Sequence, residues 1–128
     1  MLDAALTALL SILDLSHLVY LFMGVCLGLV VGILPGLGGT AGLALLLPFV
    51  FGMEPSLALA MMIGLQSVTT TSDTFPSVLM GIPGTSGSQA TVMDGFPLAK
   101  RGEGARALSA AFISSMFGGV FGALVLSV

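Results

Sequence analysis

GIPGTSGSQATVMDGFPLAKRGEGAR, Gly81 to Arg106, gathers glycine, proline and small hydroxyl residues in a chain that is otherwise almost continuously apolar, and it ends in the only basic cluster. What the stretch means depends on its solvent. In water such a loop is ordinary. At membrane depth, irregular backbone is tolerated only where it is buried in protein or lines a polar cavity, so a Pro/Gly/Ser/Thr interruption between apolar segments marks a binding region.

Composition decides the solvent. Three basic and six acidic residues in 128, with 56% hydrophobic residues, leave too little polar surface to cover a water-soluble globule. The uncharged runs are Leu15 to Met53, Pro55 to Ser72, Thr74 to Met93 and Ala107 to Val128. A span needs about 20 residues, so the first run holds one span and a shorter piece, and the last holds one. The expected fold is an all-α membrane protein whose transmembrane helices are joined by re-entrant or broken helices at the Pro/Gly-rich motifs. A net charge of -3, spread thinly, gives no footing for a nucleic-acid partner. The single Cys26 excludes an intrachain disulfide and reads as a small buried hydrophobe.

Towards the N-terminus, residues 1–14 contain no Lys or Arg, so they lack the positive region of a cleavable signal peptide. Leu2, Leu6, Leu9, Leu10 and Leu13 fall near helical spacing, which suits either an amphipathic segment at the membrane surface or the first turns of a longer helix. From Leu18 to Leu34 a membrane helix carries Gly24, Gly28 and Gly32 at four-residue spacing, a face on which another helix can approach closely. His17, at its start, suits a polar anchor at the interface; proton coupling is the alternative.

The chain must break at Leu34-Pro35-Gly36-Leu37-Gly38-Gly39-Thr40, because Pro35 has no amide to donate and the glycines relax the helix. The apolar segment that follows is too short to cross. It reads as a half-helix whose free amides at Gly38 to Ala41 face inward and can hold a carboxylate; a proline kink with glycine packing is the plainer reading. Gly36-Leu37-Gly38-Gly39-Thr40-Ala41 also matches a dinucleotide fingerprint, but no βαβ context supports it.

Pro55 to Ser72 begins as another apolar helix and turns polar. Ser67 to Thr74 holds seven hydroxyl or carboxylate side chains in eight residues, the oxygen ligands that hard cations require. Thr70, Thr71, Ser72 and Asp73, with Asp94, are the cation-coupling candidates. Asp73 is either an intramembrane acid or a helix cap. In the opening stretch, Pro83, Gly84, Thr85, Ser86 and Ser88 offer amides and hydroxyls without a lysine, which suits an anion site and excludes a P-loop. With Pro35, Gly36, Gly38, Gly39 and Thr40 they form the candidate substrate-binding set. Nothing supports catalysis. Asp94-Gly95 reads as a turn before a helix begun by Pro97, and the short loop with Lys100, Arg101 and Arg106 suits the cytoplasmic side.

Gly32-Ile33-Leu34-Pro35-Gly36-Leu37-Gly38, Leu47-Pro48, Ile82-Pro83-Gly84, Ala90-Thr91 and Asp94-Gly95-Phe96-Pro97-Leu98-Ala99-Lys100 resemble, in order, the N-terminal part of the large membrane subunit of tripartite tricarboxylate transporters, the TctA family. The resemblance implies a multi-pass permease of the bacterial inner membrane. It would import citrate-like or other carboxylates on a Na+ or H+ gradient, with a small membrane subunit and a periplasmic solute-binding protein as partners and no cofactor. Family members are several times longer and repeat the proline-glycine break, so residues 1–128 read as the N-terminal part of such a domain. The alternative function is a non-transporting membrane module whose glycines serve only helix packing.

Overall fold

The computed structural model describes residues 6, 7 and 10–126. Among them all regular structure is helical. Helix α1 is Leu15–Ile33, α2 Gly38–Val50, α3 Pro55–Ser72, α4 Thr74–Met80, α5 Gln89–Lys100 and α6 Gly104–Leu126, with a 3₁₀ turn at Ser86–Ser88. The surface segment expected over residues 1–14 lies partly outside the described residues.

Two of the helices, α1 and α6, are long and apolar enough to cross a membrane. At 13 residues, α2 extends about 20 Å and cannot cross a hydrocarbon layer about 30 Å thick. Pro55 stands at the first position of α3, where its missing amide costs nothing. The first break is narrower than the sequence suggested: residues 34–37 leave the helix, and Gly38 to Thr40 already form the first turn of α2.

Helices α1 and α3 pack backbone to backbone. A Cβ at Gly28 would stand 2.6 Å from the Leu65 carbonyl oxygen, and one at Gly64, from the other side, 2.5 Å from that of Leu21. Without side chains at these positions the helices meet at a distance no larger residue permits. Ser72 strengthens the seam by donating from Oγ to the Gly28 carbonyl at 3.3 Å. Leu46, Val50, Met61 and Leu65 form the buried apolar cluster where α2 joins this pair. Cys26 is exposed rather than buried, because it points away from the glycine face.

In the second half, α4 packs on α5, and α6 packs on both. Gly95 is the point of closest approach, since a Cβ there would lie 2.8 Å from Val78 Cγ2. This corrects the turn expected at Asp94-Gly95. Helix α5 runs unbroken from Gln89 to Lys100 with Pro97 inside it, and Gly95 serves the packing. The rings of Phe75 and Phe112 meet at 5.4 Å to hold α6, while Lys100 stacks over Phe96 at 4.6 Å. Most of α6 faces outward with exposed Phe117, Phe121 and Leu124, a surface suited to lipid or further helices.

Candidate functional site

The two interrupted stretches come together. After α1, Leu34 turns extended, and Gly36 (φ +88°) and Gly38 (φ +60°) take the left-handed conformation that other residues adopt only at a cost. The second stretch runs without α-helix from Gly81 to Thr85 and then into the 3₁₀ turn. There Ser88 Oγ donates to the Thr85 carbonyl (2.9 Å) and accepts from the Thr85 amide (3.1 Å), which closes the loop on itself. A Cβ at Gly38 would touch Thr85 Cγ2 at 3.3 Å, so the breaks are in contact.

Asp73 anchors the second stretch. It sits between α3 and α4, only 4% exposed, and its carboxylate accepts a 2.6 Å hydrogen bond from Thr85 Oγ1. Gly84 lies flat on it: an added Cβ would stand 2.6 Å from Asp73 Cβ. The Asp73 carbonyl accepts from Ser77 Oγ at 2.8 Å and does not act through a side-chain cap. Asp73 thus stands at the N-cap position of α4 with its carboxylate bonded to Thr85 and not to the helix amides.

Thr85 divides two hollows. One, of about 450 Å³, is walled by Gly36, Gly38 and Thr40 from the first break and by Pro83, Gly84 and Ser86 from the second. No charged side chain lines it. The first amides of α2 have no partner within the helix, and the helix dipole makes that end positive, so the hollow can accept an anion through backbone donors. The other, of about 240 Å³, lies around Asp73, with Thr70, Thr74, Thr91, Ser114 and Ser115. A larger apolar trough of about 490 Å³, with Met23, Leu45 and Phe49, offers a carboxylate nothing and suits a lipid tail or another helix.

Of the candidate substrate residues, Gly36, Gly38, Thr40, Pro83, Gly84, Thr85 and Ser86 share the first hollow. Pro35 makes the break without lining the hollow, Gly39 turns towards Gln66 and Thr69, and Ser88 lines the second hollow. Among the cation candidates Thr70 and Asp73 come together, whereas Ser72 is buried in the α1–α3 seam, Thr71 donates to the Ser67 carbonyl (3.5 Å), and Asp94 is exposed on α5. Sequence reasoning missed Gln89, Thr91, Ser114 and Ser115. The hydroxyl pair at Ser114-Ser115 inside an apolar span was a readable signal.

The sequence profile of the tripartite tricarboxylate transporter TctA family matches residues 18–128. The chain belongs to this family. It is 37% identical over 112 residues to an uncharacterized 52.8 kDa protein from the TAR-I ttuC' 3' region of Agrobacterium vitis, covering 88% of this chain and 22% of that relative. The chain thus spans under a quarter of the relative's length. No solved structure matches it. TctA proteins are membrane components of tripartite transporters, and α1 and α6 of this TctA chain have the length and apolarity of membrane helices.

Proposed function

We propose that this chain forms part of a permease that takes up tricarboxylates or related carboxylates across the bacterial inner membrane, driven by an ion gradient. A small membrane subunit and a periplasmic solute-binding protein would work with it. The observation that carries the reading is the meeting of the two breaks around one hollow whose walls supply amides and hydroxyls and no fixed charge. Such a wall holds a carboxylate by oriented donors and releases it more readily than a lysine or arginine would, which suits a transporter that must let its cargo go.

The test is uptake of labelled di- and tricarboxylates by cells that express the intact permease with its partner subunits. Uptake that disappears on narrowing the hollow, with the protein still inserted, supports the reading. Normal uptake by such variants would favour a packing module instead.

A further inference from the structure

We infer that Phe96 is a positioning residue for the second break: its ring clamps Gly81, the pivot from which one wall of the carboxylate hollow departs. The starting observation is the conformation of that pivot. Gly81 ends α4 with a φ of +70°, and the next amide, that of Ile82, bonds back to the Pro76 carbonyl at 3.3 Å. At that length the bond is a loose tether. Glycine takes positive and negative φ about equally readily, so the backbone alone leaves the direction of the following segment open.

Helix α5 closes that choice. Because Gly95 has no side chain to hold α5 away from Val78, the next residue falls on Gly81, three positions beyond Val78. A Cβ built on Gly81 would stand 2.8 Å from Phe96 Cδ1, 2.9 Å from Cε1 and 3.0 Å from Cγ, so the flank of the ring lies against the Gly81 backbone. Phe96 is half-buried there, and Lys100, one helical turn on, lies over the ring with Nζ 4.6 Å from its centre. A flat ring with two torsions is a stiffer stop than an aliphatic chain.

The far end of the segment is already fixed, since Gly84 lies on Asp73 and Thr85 Oγ1 donates to its carboxylate. Residues 81–85 are thus pinned at both ends, with Pro83, whose φ is locked, between the pins and on the wall of the hollow. Loss of the ring frees the near end alone. The donors of the hollow stay in the chain, but Pro83 no longer holds its place opposite Gly36, which weakens binding and leaves the transport step unchanged. This effect on uptake rests on the proposed transport function; the clamp does not.

The test uses the intact permease with its partner subunits. Uptake of labelled di- and tricarboxylates is measured per inserted molecule, and the mobility of a spin label at Ile82→Cys, in a cysteine-free background, is measured in nanodiscs. Phe96→Leu should raise KM about tenfold with kcat held within about twofold, and should loosen the label. Phe96→Tyr, which keeps the ring, should restore both readings, and Phe96→Met makes the same test as Phe96→Leu if the leucine variant fails to insert. Gly81→Ala drives a Cβ into the ring and should also raise KM; joined to Phe96→Leu it should lose no more than Gly81→Ala alone, because both changes disturb one contact. An unmoved label, an unchanged KM in a permease that transports, or losses that multiply in the double variant overturns the role of Phe96 and leaves the transport reading standing. If the label loosens as expected and no carboxylate is ever taken up by the wild type, the clamp stands and the transport reading falls.

Discussion

The two hollows on either side of Thr85 are built from the same kinds of residue and differ in charge, since only the second is lined by a carboxylate, that of Asp73. Glycine, threonine and serine dominate both. The first is walled in part by the start of α2, and no charged side chain lines it. In the second, Thr70 Oγ1 and Ser114 Oγ donate to the carbonyls of Ser67 and Ala111, Thr85 Oγ1 donates to Asp73, and that carboxylate is buried. The difference lies in where the hydrogens go. Counting polar residues cannot reveal it, whereas following each proton to its acceptor can.

The strongest test of this pairing is Gly84→Val. Its side chain would enter the space now held by Asp73 Cβ, 2.6 Å away, and push the second break off its anchor. Both hollows would lose a wall at once. With two charge-assisted hydrogen bonds to the carboxylate lost at about 1.5 to 3 kcal/mol each, uptake should fall about a hundredfold or more. Gly28→Leu is the contrasting variant, because Gly28 meets the Leu65 backbone and lines neither hollow. It should lower the amount of assembled protein in the membrane, while the molecules that do assemble keep their substrate affinity. Equal loss of affinity in the two variants would erase the distinction between site glycines and packing glycines.

Thr85→Val comes next in size. It keeps the shape of the side chain and deletes the proton that bonds Asp73. An unsatisfied buried acceptor costs about 1 to 3 kcal/mol, so carboxylate affinity should drop about tenfold. Thr85→Ser, which restores the hydroxyl, should recover the affinity. A valine variant that keeps the full carboxylate affinity would mean the hollows act separately.

Much of this architecture was legible in the chain. Pro35 and Pro83 had to interrupt helices, Pro55 had to begin one, and the glycines at 24, 28 and 32 had to face a partner, all for reasons contained in a few neighbouring residues. The failures share a cause. Asp94-Gly95 carries turn chemistry, yet Gly95 is spent on the approach of α5 to Val78, a contact between segments distant in sequence. Likewise Thr70, Thr71 and Ser72 read alike in sequence, and only packing sends Ser72 into the α1 seam and Thr70 to the hollow. Ser114 and Ser115 line the same hollow as Asp73 from more than forty positions away, through the docking of α6 by Phe112 on Phe75. Sequence patterns set local geometry, and tertiary contacts assign each polar group its task.

The smallest expected effect separates two roles that glycine plays in the first break. Gly36 has a φ of +88°, and nothing lies within 4 Å of where its Cβ would be. Gly38 has a φ of +60° and would in addition meet Thr85 Cγ2 at 3.3 Å. Gly36→Ala therefore introduces only the backbone penalty of a left-handed L-residue, about 1 to 2 kcal/mol, and leaves the hollow's volume and donors in place. With the loop relaxing to share that strain, carboxylate affinity should fall by a few-fold and at most about tenfold. Gly38→Ala adds a contact with Thr85, the residue that both hollows share, so it should cost more. Measured side by side as carboxylate affinity, the two variants divide the break into a hinge at Gly36 and a contact point at Gly38. Identical losses in both would show that backbone strain alone governs the break and that the contact across to Thr85 carries nothing between the hollows.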